Sequence, residues 1–235
     1  MSALRVSVVM ATKNAARYLR DALDSVAAQT HPAHEIVVVD GGSADGTREI
    51  AASYANVRVI DETGSGFASA WNDGMDAARG DAVAFLDSDD RWEPRKLAWQ
   101  VAALDASPEA LGAIGHVRFF MGPNQQRPPG FKLELLDRDW VAHMPGALLA
   151  RRALFERVGR FDPNWAIASD IDWFAKVKDA GCRIEVVPEV VIHKRVHDTN
   201  LSYVTATTPV MNQEILKLLH QSIHRQRAEA TKSEV

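Results

Sequence analysis

Four aspartates carry the chemistry legible in this sequence. Asp87 and Asp89 lie in Asp87-Ser88-Asp89-Asp90, at the end of an apolar run that begins at Ala82. In an extended chain residues i and i+2 project to one side, so the two carboxylates are expected to share a ligand. A hard divalent cation, Mg2+ or Mn2+, suits them, because it takes one or two carboxylates and completes its shell with water and phosphate oxygens. Asp40 opens Asp40-Gly41-Gly42-Ser43-Ala44-Asp45-Gly46-Thr47. Its glycines permit close backbone approach and its Ser43 and Asp45 can start a helix, a combination that can hold a nucleoside. Asp170, in Ser169-Asp170-Ile171-Asp172-Trp173, stands at a predicted helix start, where an aspartate ordinarily caps; facing a pocket it can act as a general base. His193-Lys194-Arg195-Val196-His197 places two imidazoles and Arg195 on one strand face. One of the histidines, His197 first, is a candidate metal ligand, and Lys194 or Arg195 can meet a phosphate. Arg79, with its fork of donors, is a second candidate for a diphosphate.

The elements that must position these groups follow from hydrophobic spacing. Val6 to Met10 reads as a strand, and Tyr18, Leu19, Ala22, Leu23 and Val26 recur at helical spacing. Strands are predicted over 35–40, 57–61 and 82–87, with helices over 47–54 and 66–78. Strands alternating with helices make a parallel α/β sheet, whose ligands sit beyond the carboxyl ends of the strands. Thr12, Asn14, Asp40, Ser43, Asp87 and Asp89 all fall there. After Pro94 the pattern changes: a helix over 95–106, a strand over 111–120, a Gly/Pro loop over 122–130, helices over 146–158 and 169–180, a strand over 183–187 and a final helix over 209–227. That loop, with Trp140, His143, Met144 and Trp165, can rim a second, acceptor site.

Composition bounds the rest. The chain has 235 residues, 46% of them hydrophobic, with 27 Lys and Arg against 31 Asp and Glu. That is the composition of a globular domain, and without a basic cluster nucleic acid is not the expected partner. The single cysteine, Cys182, excludes an intramolecular disulfide and a Cys-rich zinc site and fits a reducing compartment, so the cytoplasm is expected. Val6 to Met10 is too short for a signal-peptide core, and no run approaches the roughly 18 apolar residues of a membrane span. The final helix carries Ile215, Leu219 and Ile223 on one face and Lys217, His220, His224, Arg225 and Arg227 nearby. It is expected to dock on the domain, with dimerisation or an anionic membrane surface at the inner face of the membrane as alternatives.

In order along the chain, Val8 to Asn14 (VVMATKN), Asp40 to Thr47 (DGGSADGT), Asn72 to Asp90 with its terminal DSDD, Val158 to Asp172 (VGRFDPNWAIASDID) and Arg195 to Ser202 (RVHDTNLS) resemble the family 2 inverting glycosyltransferases. The resemblance implies a GT-A fold, a Rossmann-like α/β/α sandwich with a mostly parallel sheet, over 1–205. Its nucleotide-sugar half would span about 1–92 and its acceptor half about 93–205, before an amphipathic helix and tail at 206–235. It implies metal-dependent transfer, by single displacement, from a nucleoside diphosphate sugar, UDP-linked by expectation, to a hydroxyl of a glycan, lipid-linked sugar, peptide or small metabolite. Asp40 would contact the base, with Thr12, Asn14 and Ser43 around it and Arg79 and Arg195 near the diphosphate. Asp89 would be the principal metal ligand, assisted by Asp87 and His197, and Asp170 the catalytic base. Ser169 stands where the family has a glutamate. A nucleotidyltransferase would need a basic Gly-rich loop after the first strand, and Gly64-Ser65-Gly66 lacks the third glycine of a dinucleotide site. The reading from another class is a partner subunit that binds nucleotide sugar without transferring it.

Overall fold

The computed structural model describes residues 4–122, 125–128, 131–198, 200 and 209–233. Apolar runs without polar alternation form strands covered on both faces, and the run over 57–61, broken by Arg58, forms a partly buried edge strand. Thus β1 (Val6–Thr12), β2 (Glu35–Asp40), β3 (Val57–Asp61) and β4 (Ala82–Phe85) pair in parallel, linked by α1 (Leu19–Ala27), α2 (Thr47–Ala52) and α3 (Phe67–Ala77). The pleat divides β1 between two cores. Val6, Val8 and Met10 pack with α1, while Val9 and Ala11 pack with α3, so helices cover both faces. Gly74 lets α3 lie close to β1, since a Cβ there would meet Val9 Cγ1.

The chain then adds β5 (Arg91–Trp92), α4 (Lys96–Ala106), β6 (Gly112–Phe120), β7 (Asp139–Val141), β8 (Leu149–Arg151), α5 (Arg152–Val158), α6 (Ser169–Asp179), β9 (Ile184–Arg195) and α7 (Pro209–Ser233). The strand order is β3-β2-β1-β4-β8-β6-β9-β5, with β7 on β6. Short β8 runs antiparallel to both β4 and β6, and β6 runs parallel to β9. Both halves therefore share one mixed sheet in which most of the register is parallel, the expected α/β/α sandwich.

Two predicted elements differ. The helix expected over 146–158 is a 3-10 turn at Pro145–Ala147, then β8, and helical only from Arg152. The open edge of β4 takes Leu149 and Ala150 as ladder partners, and that pairing overrides their helical propensity. The strand expected over 183–187 continues through Pro188 to Arg195. Pro188 is tolerated because the β6–β9 register shifts between Ile114 and His116, leaving an irregularity where no ladder N–H is needed.

The final helix docks, as expected, but through Leu218, which packs with Trp165 and Ala168, while Ile215 is exposed. The side chains of Leu219, Ile223, His224 and Arg227 lie outside the described residues, as do 123, 124, 129 and 130 of the Gly/Pro loop. No described helix is long and apolar enough to cross a membrane.

Candidate functional site

At the carboxyl edge of the parallel strands a cleft of about 1400 Å³ opens, lined among others by Thr12, Asn14, Asp40, Asp87, Asp89 and Asp170. Single small-molecule pockets run roughly 300–1,000 Å³, so it has room for more than one small molecule.

At one end the β1–β2 register sets Thr12 beside Asp40, and the β2–β3 register sets Asp40 beside Asp61. The Asp40 carboxylate is fully buried and accepts hydrogen bonds from the Ser43 N–H (3.0 Å), the Ser43 hydroxyl (2.5 Å) and Arg48 (3.1 Å). Burial alone would push its pKa up; Ser43 and Arg48 outweigh that and hold it below the ordinary value. Arg48 also pairs with Asp61 at 2.6 Å. Ser43 therefore does not line the cleft as a ligand contact. It orients Asp40 and accepts the Asn14 N–H at 2.8 Å. Asn14 itself adopts φ 49°, which its short amide tolerates, and its Oδ1 accepts the Ala44 N–H.

At the centre the DSDD run is a turn rather than a strand continuation, closed by the Asp90 N–H on the Asp87 carbonyl. Ligand oxygens of Asp87, Asp89 and Asp90 still converge within 4.8 Å of one another. The β5–β9 pairing, Arg91 against His193, delivers Lys194 and Arg195 to the same turn. Lys194 Nζ lies 3.0 Å from Asp90 and 3.3 Å from Asp87. Asp90 is wholly buried, also accepts the Arg195 N–H (2.8 Å), and is pushed by burial up to about 7. Burial and the Asp89 charge raise Asp87 against the pull of Lys194. For Asp89, burial is outweighed by the hydrogen bond from His197 and the Lys194 charge, and its pKa is lowered. His197 Nε2 lies 3.0 Å from Asp89 Oδ2, and Asn200 Nδ2 donates to the same oxygen at 3.1 Å.

The donor set fits a hard divalent cation. Asp87 and Asp89 line the cleft whereas Asp90 does not, and one lysine among three carboxylates leaves a surplus of negative charge for a dication to meet. His197, the histidine expected to assist, meets this group through Asp89. His193 does not, because its Nε2 turns to Glu93 at 3.0 Å.

Besides Ser43, two sequence expectations need correction. Arg79 precedes β4 at the amino edge of the sheet, opposite the cleft, where its N–H bonds Glu35. A whole strand separates it from Asp87, so it cannot reach a diphosphate bound there. Arg195 is buried, sandwiched 4.7 Å from the rings of Tyr18 and Phe120, and donates to the Asp89 carbonyl (2.8 Å) and to Asp21 (2.9 Å). It braces the acidic turn, and its neighbour Lys194 lines the cleft, as do Lys13 and Arg17 further along it. Of the acceptor-rim residues, Met144 and Trp165 line the cleft and Trp140 and His143 do not.

Asp170 begins α6 on the cleft wall. Trp173, one turn on, is fully buried, stacks 4.9 Å from Phe155 and donates to the Gly159 carbonyl, which fixes the helix face. Burial pushes Asp170 up to about 6, the nearby Asp87 charge adding to it and the Ile171 N–H opposing it. A carboxylate so poised can take a proton near neutral pH.

The molecule is a mixed α/β protein with a carboxylate-lined cleft at the carboxyl edge of its sheet, where α/β proteins bind their ligands. The description Glycosyl transferase family 2 matches residues 7–173, and the chain belongs to that family of glycosyltransferases. An uncharacterized glycosyltransferase of Nostoc sp. is 31% identical over 229 residues, covering 90% of this chain and 70% of the relative. A Bacillus subtilis glycosyltransferase named for teichuronic acid biosynthesis is 43% identical over 101 residues, 41% of this chain and 40% of its own. Among solved structures, Staphylococcus aureus TarS 1-349 with UDP-GlcNAc superposes with TM-score 0.74 at 21% identity, over 94% of this chain and 66% of that one. The mannosyltransferase PcManGT of Pyrobaculum calidifontis, with GDP-Man and Mn2+, gives 0.66 at 26% identity, over 94% and 64%. The chain thus spans about two thirds of the length of these structures.

Proposed function

We propose that this chain transfers a sugar from a nucleoside diphosphate sugar, UDP-linked, to an acceptor hydroxyl with inversion, using Mn2+ or Mg2+. The observation that carries the reading is one cleft holding three groups in sequence: the buried Asp40 beside Thr12, the Asp87/Asp89 pair, and Asp170 with its raised pKa. Neighbours solved with UDP-GlcNAc and with GDP-Man and Mn2+ support both the donor class and the metal.

Asp87 and Asp89, with His197, would hold the metal, which supplies charge to offset the departing diphosphate. Asp40, kept ionised by Ser43 and Arg48, accepts a hydrogen bond from an N–H of the base. Lys194 adds positive charge on the diphosphate side, and Asp170 takes the proton of the attacking acceptor hydroxyl. Attack opposite the leaving group inverts the anomeric carbon. The remaining proposals concern setting: a catalytic unit over 1–205 with the tail helix docked on it, in the cytoplasm, with an inner-membrane surface and a homodimer as the contacts to examine.

A thermal-shift panel of nucleoside diphosphates and nucleotide sugars with Mn2+, Mg2+ or EDTA, on wild type and Asp89→Ala, tests the reading, since a ligand binding only the native state raises Tm. Metal-dependent stabilisation by a uridine ligand, lost in Asp89→Ala, is expected. A folded protein stabilised by none of them refutes it. Donor binding without transfer or hydrolysis would favour the non-catalytic partner subunit.

A further inference from the structure

α6 begins without a side-chain cap, because its N-cap residue is Ala168. The segment leading into it, Ala166 to Ala168, presents three successive N–H groups, and all three donate to one carboxylate, that of Glu214 on α7. Ala166 reaches Oε1 at 2.7 Å, and Ile167 and Ala168 reach Oε2 at 3.1 and 2.9 Å. Consecutive N–H groups in such a turn form an anion cradle, and here the chain fills it from 46 to 48 residues away. Around this contact Leu218 packs on Trp165 and Ala168, and Lys217 lies 4.7 Å over the Trp165 ring. Asp170 follows Ala168 by two residues.

We propose that Glu214 is a positioning residue for Asp170, so that the helix beyond residue 205 is part of the active site rather than a tail. The inference rests on Asp170 being the general base. With Glu214 in place, the turn that brings Asp170 to the cleft wall is held at three points. Without it, three N–H groups lose their acceptor, the turn relaxes, and the base leaves the geometry proton transfer requires. Misplacement by about 1 Å can cost on the order of 10²-fold in rate.

The test uses the full chain as Glu214→Ala and Glu214→Gln, the latter keeping shape and one acceptor oxygen. Amide hydrogen exchange over 164–173 needs no turnover; it should quicken about tenfold or more in Glu214→Ala and by less in Glu214→Gln. Transfer kcat should fall roughly 10- to 100-fold in Glu214→Ala, with donor KM and UDP affinity within about twofold of wild type. Glu214→Gln should recover part of kcat, and it carries the comparison if the alanine variant does not fold. Unchanged exchange overturns the contact. Faster exchange with wild-type kcat, or kcat falling only in proportion to folded protein, overturns the positioning role. Failure of the base assignment looks different: Asp170→Asn would then transfer at the wild-type rate while the exchange pattern at Glu214 stayed as described.

Discussion

Replacing Asp170 by Asn separates chemistry from binding and from folding in one residue. The asparagine Oδ1 can keep accepting the Ile171 N–H that Asp170 accepts at 2.8 Å, so α6 should start as before. What disappears is a base, and a positioned base contributes about 10²–10⁴ in rate, or about 3–5 kcal/mol of barrier. The raised pKa fixes the pH signature. Burial penalises the ionised form and sets the carboxyl at about 6, and only the ionised form accepts a proton. Roughly nine tenths of the sites are therefore competent at pH 7 and about one tenth at pH 5, so wild-type kcat/KM should rise about tenfold between them. The same shift has an opposite effect on stability. An unfolded aspartate titrates near 3.9, so between about pH 4 and 6 the unfolded state loses its proton first, and the native state forfeits on the order of 2–3 kcal/mol by neutral pH. Asp170→Asn escapes that loss. Measured without metal at pH 7 it should melt a few degrees above wild type, and at pH 4 the two should coincide. Initial rates of nucleotide release from pH 5 to 8, UDP calorimetry and the two melting curves check all three consequences. A mutant transferring at the wild-type rate, or a wild-type acid limb near 4, refutes the reasoning.

Lys194→Met leaves the buried Asp90 without its cation, a change that costs about 3–5 kcal/mol where a buried pair is broken; urea denaturation should show that loss, and adding Asp90→Asn should restore a substantial part of it. Arg79→Ala should bind UDP as wild type does, whereas Arg48→Ala, freeing Asp40 and Asp61 from their shared guanidinium, should weaken UDP several-fold by calorimetry. Equal affinities in those two variants would remove Arg48 from the nucleotide end of the cleft.

The amino-terminal half was legible because β1, β2 and β4 are buried on both faces and therefore read as unbroken apolar runs, with Asp40, Asp87 and Asp89 at or just beyond their carboxyl ends. Burial and register carried those residues to one cleft without further information. Arg79 misled because nearness in sequence to the DSDD turn conceals an intervening strand; residues 82–87 extended span roughly 20 Å. Arg195 misled for another reason. Alternation on a strand tells which side a residue takes, but Lys194 rather than Arg195 faces the cleft, since β9 pairs with β5 and Tyr18 and Phe120 enclose the guanidinium. Asp90, Arg48 and Glu214 were beyond reach of spacing alone. Each matters through a partner brought by tertiary pairing, and Asp90 was hidden as the last acid of a run that an exposed turn would explain equally well. β8 is only three residues long, too few for any periodicity to register.

The acidic turn also distinguishes a functional cluster from a structural ion pair. A structural pair balances its charges, because unpaired buried charge is costly. Here three carboxylates meet Lys194, the Arg195 N–H and, at Asp89, His197 and Asn200, while the Arg195 guanidinium is spent on the Asp89 carbonyl and Asp21. The imbalance is unevenly placed. The wholly buried Asp90 takes the short contact with Lys194, and the two carboxylates lining the cleft carry the surplus. Aspartates crowded this way repel one another, which is part of why Asp87 and Asp90 titrate high. A dication binding at Asp87 and Asp89 relieves that repulsion, so metal affinity and turn stability are linked: Mn2+ should raise Tm in wild type, by less in Asp87→Asn, where part of the repulsion is already gone and a ligand has been lost with it.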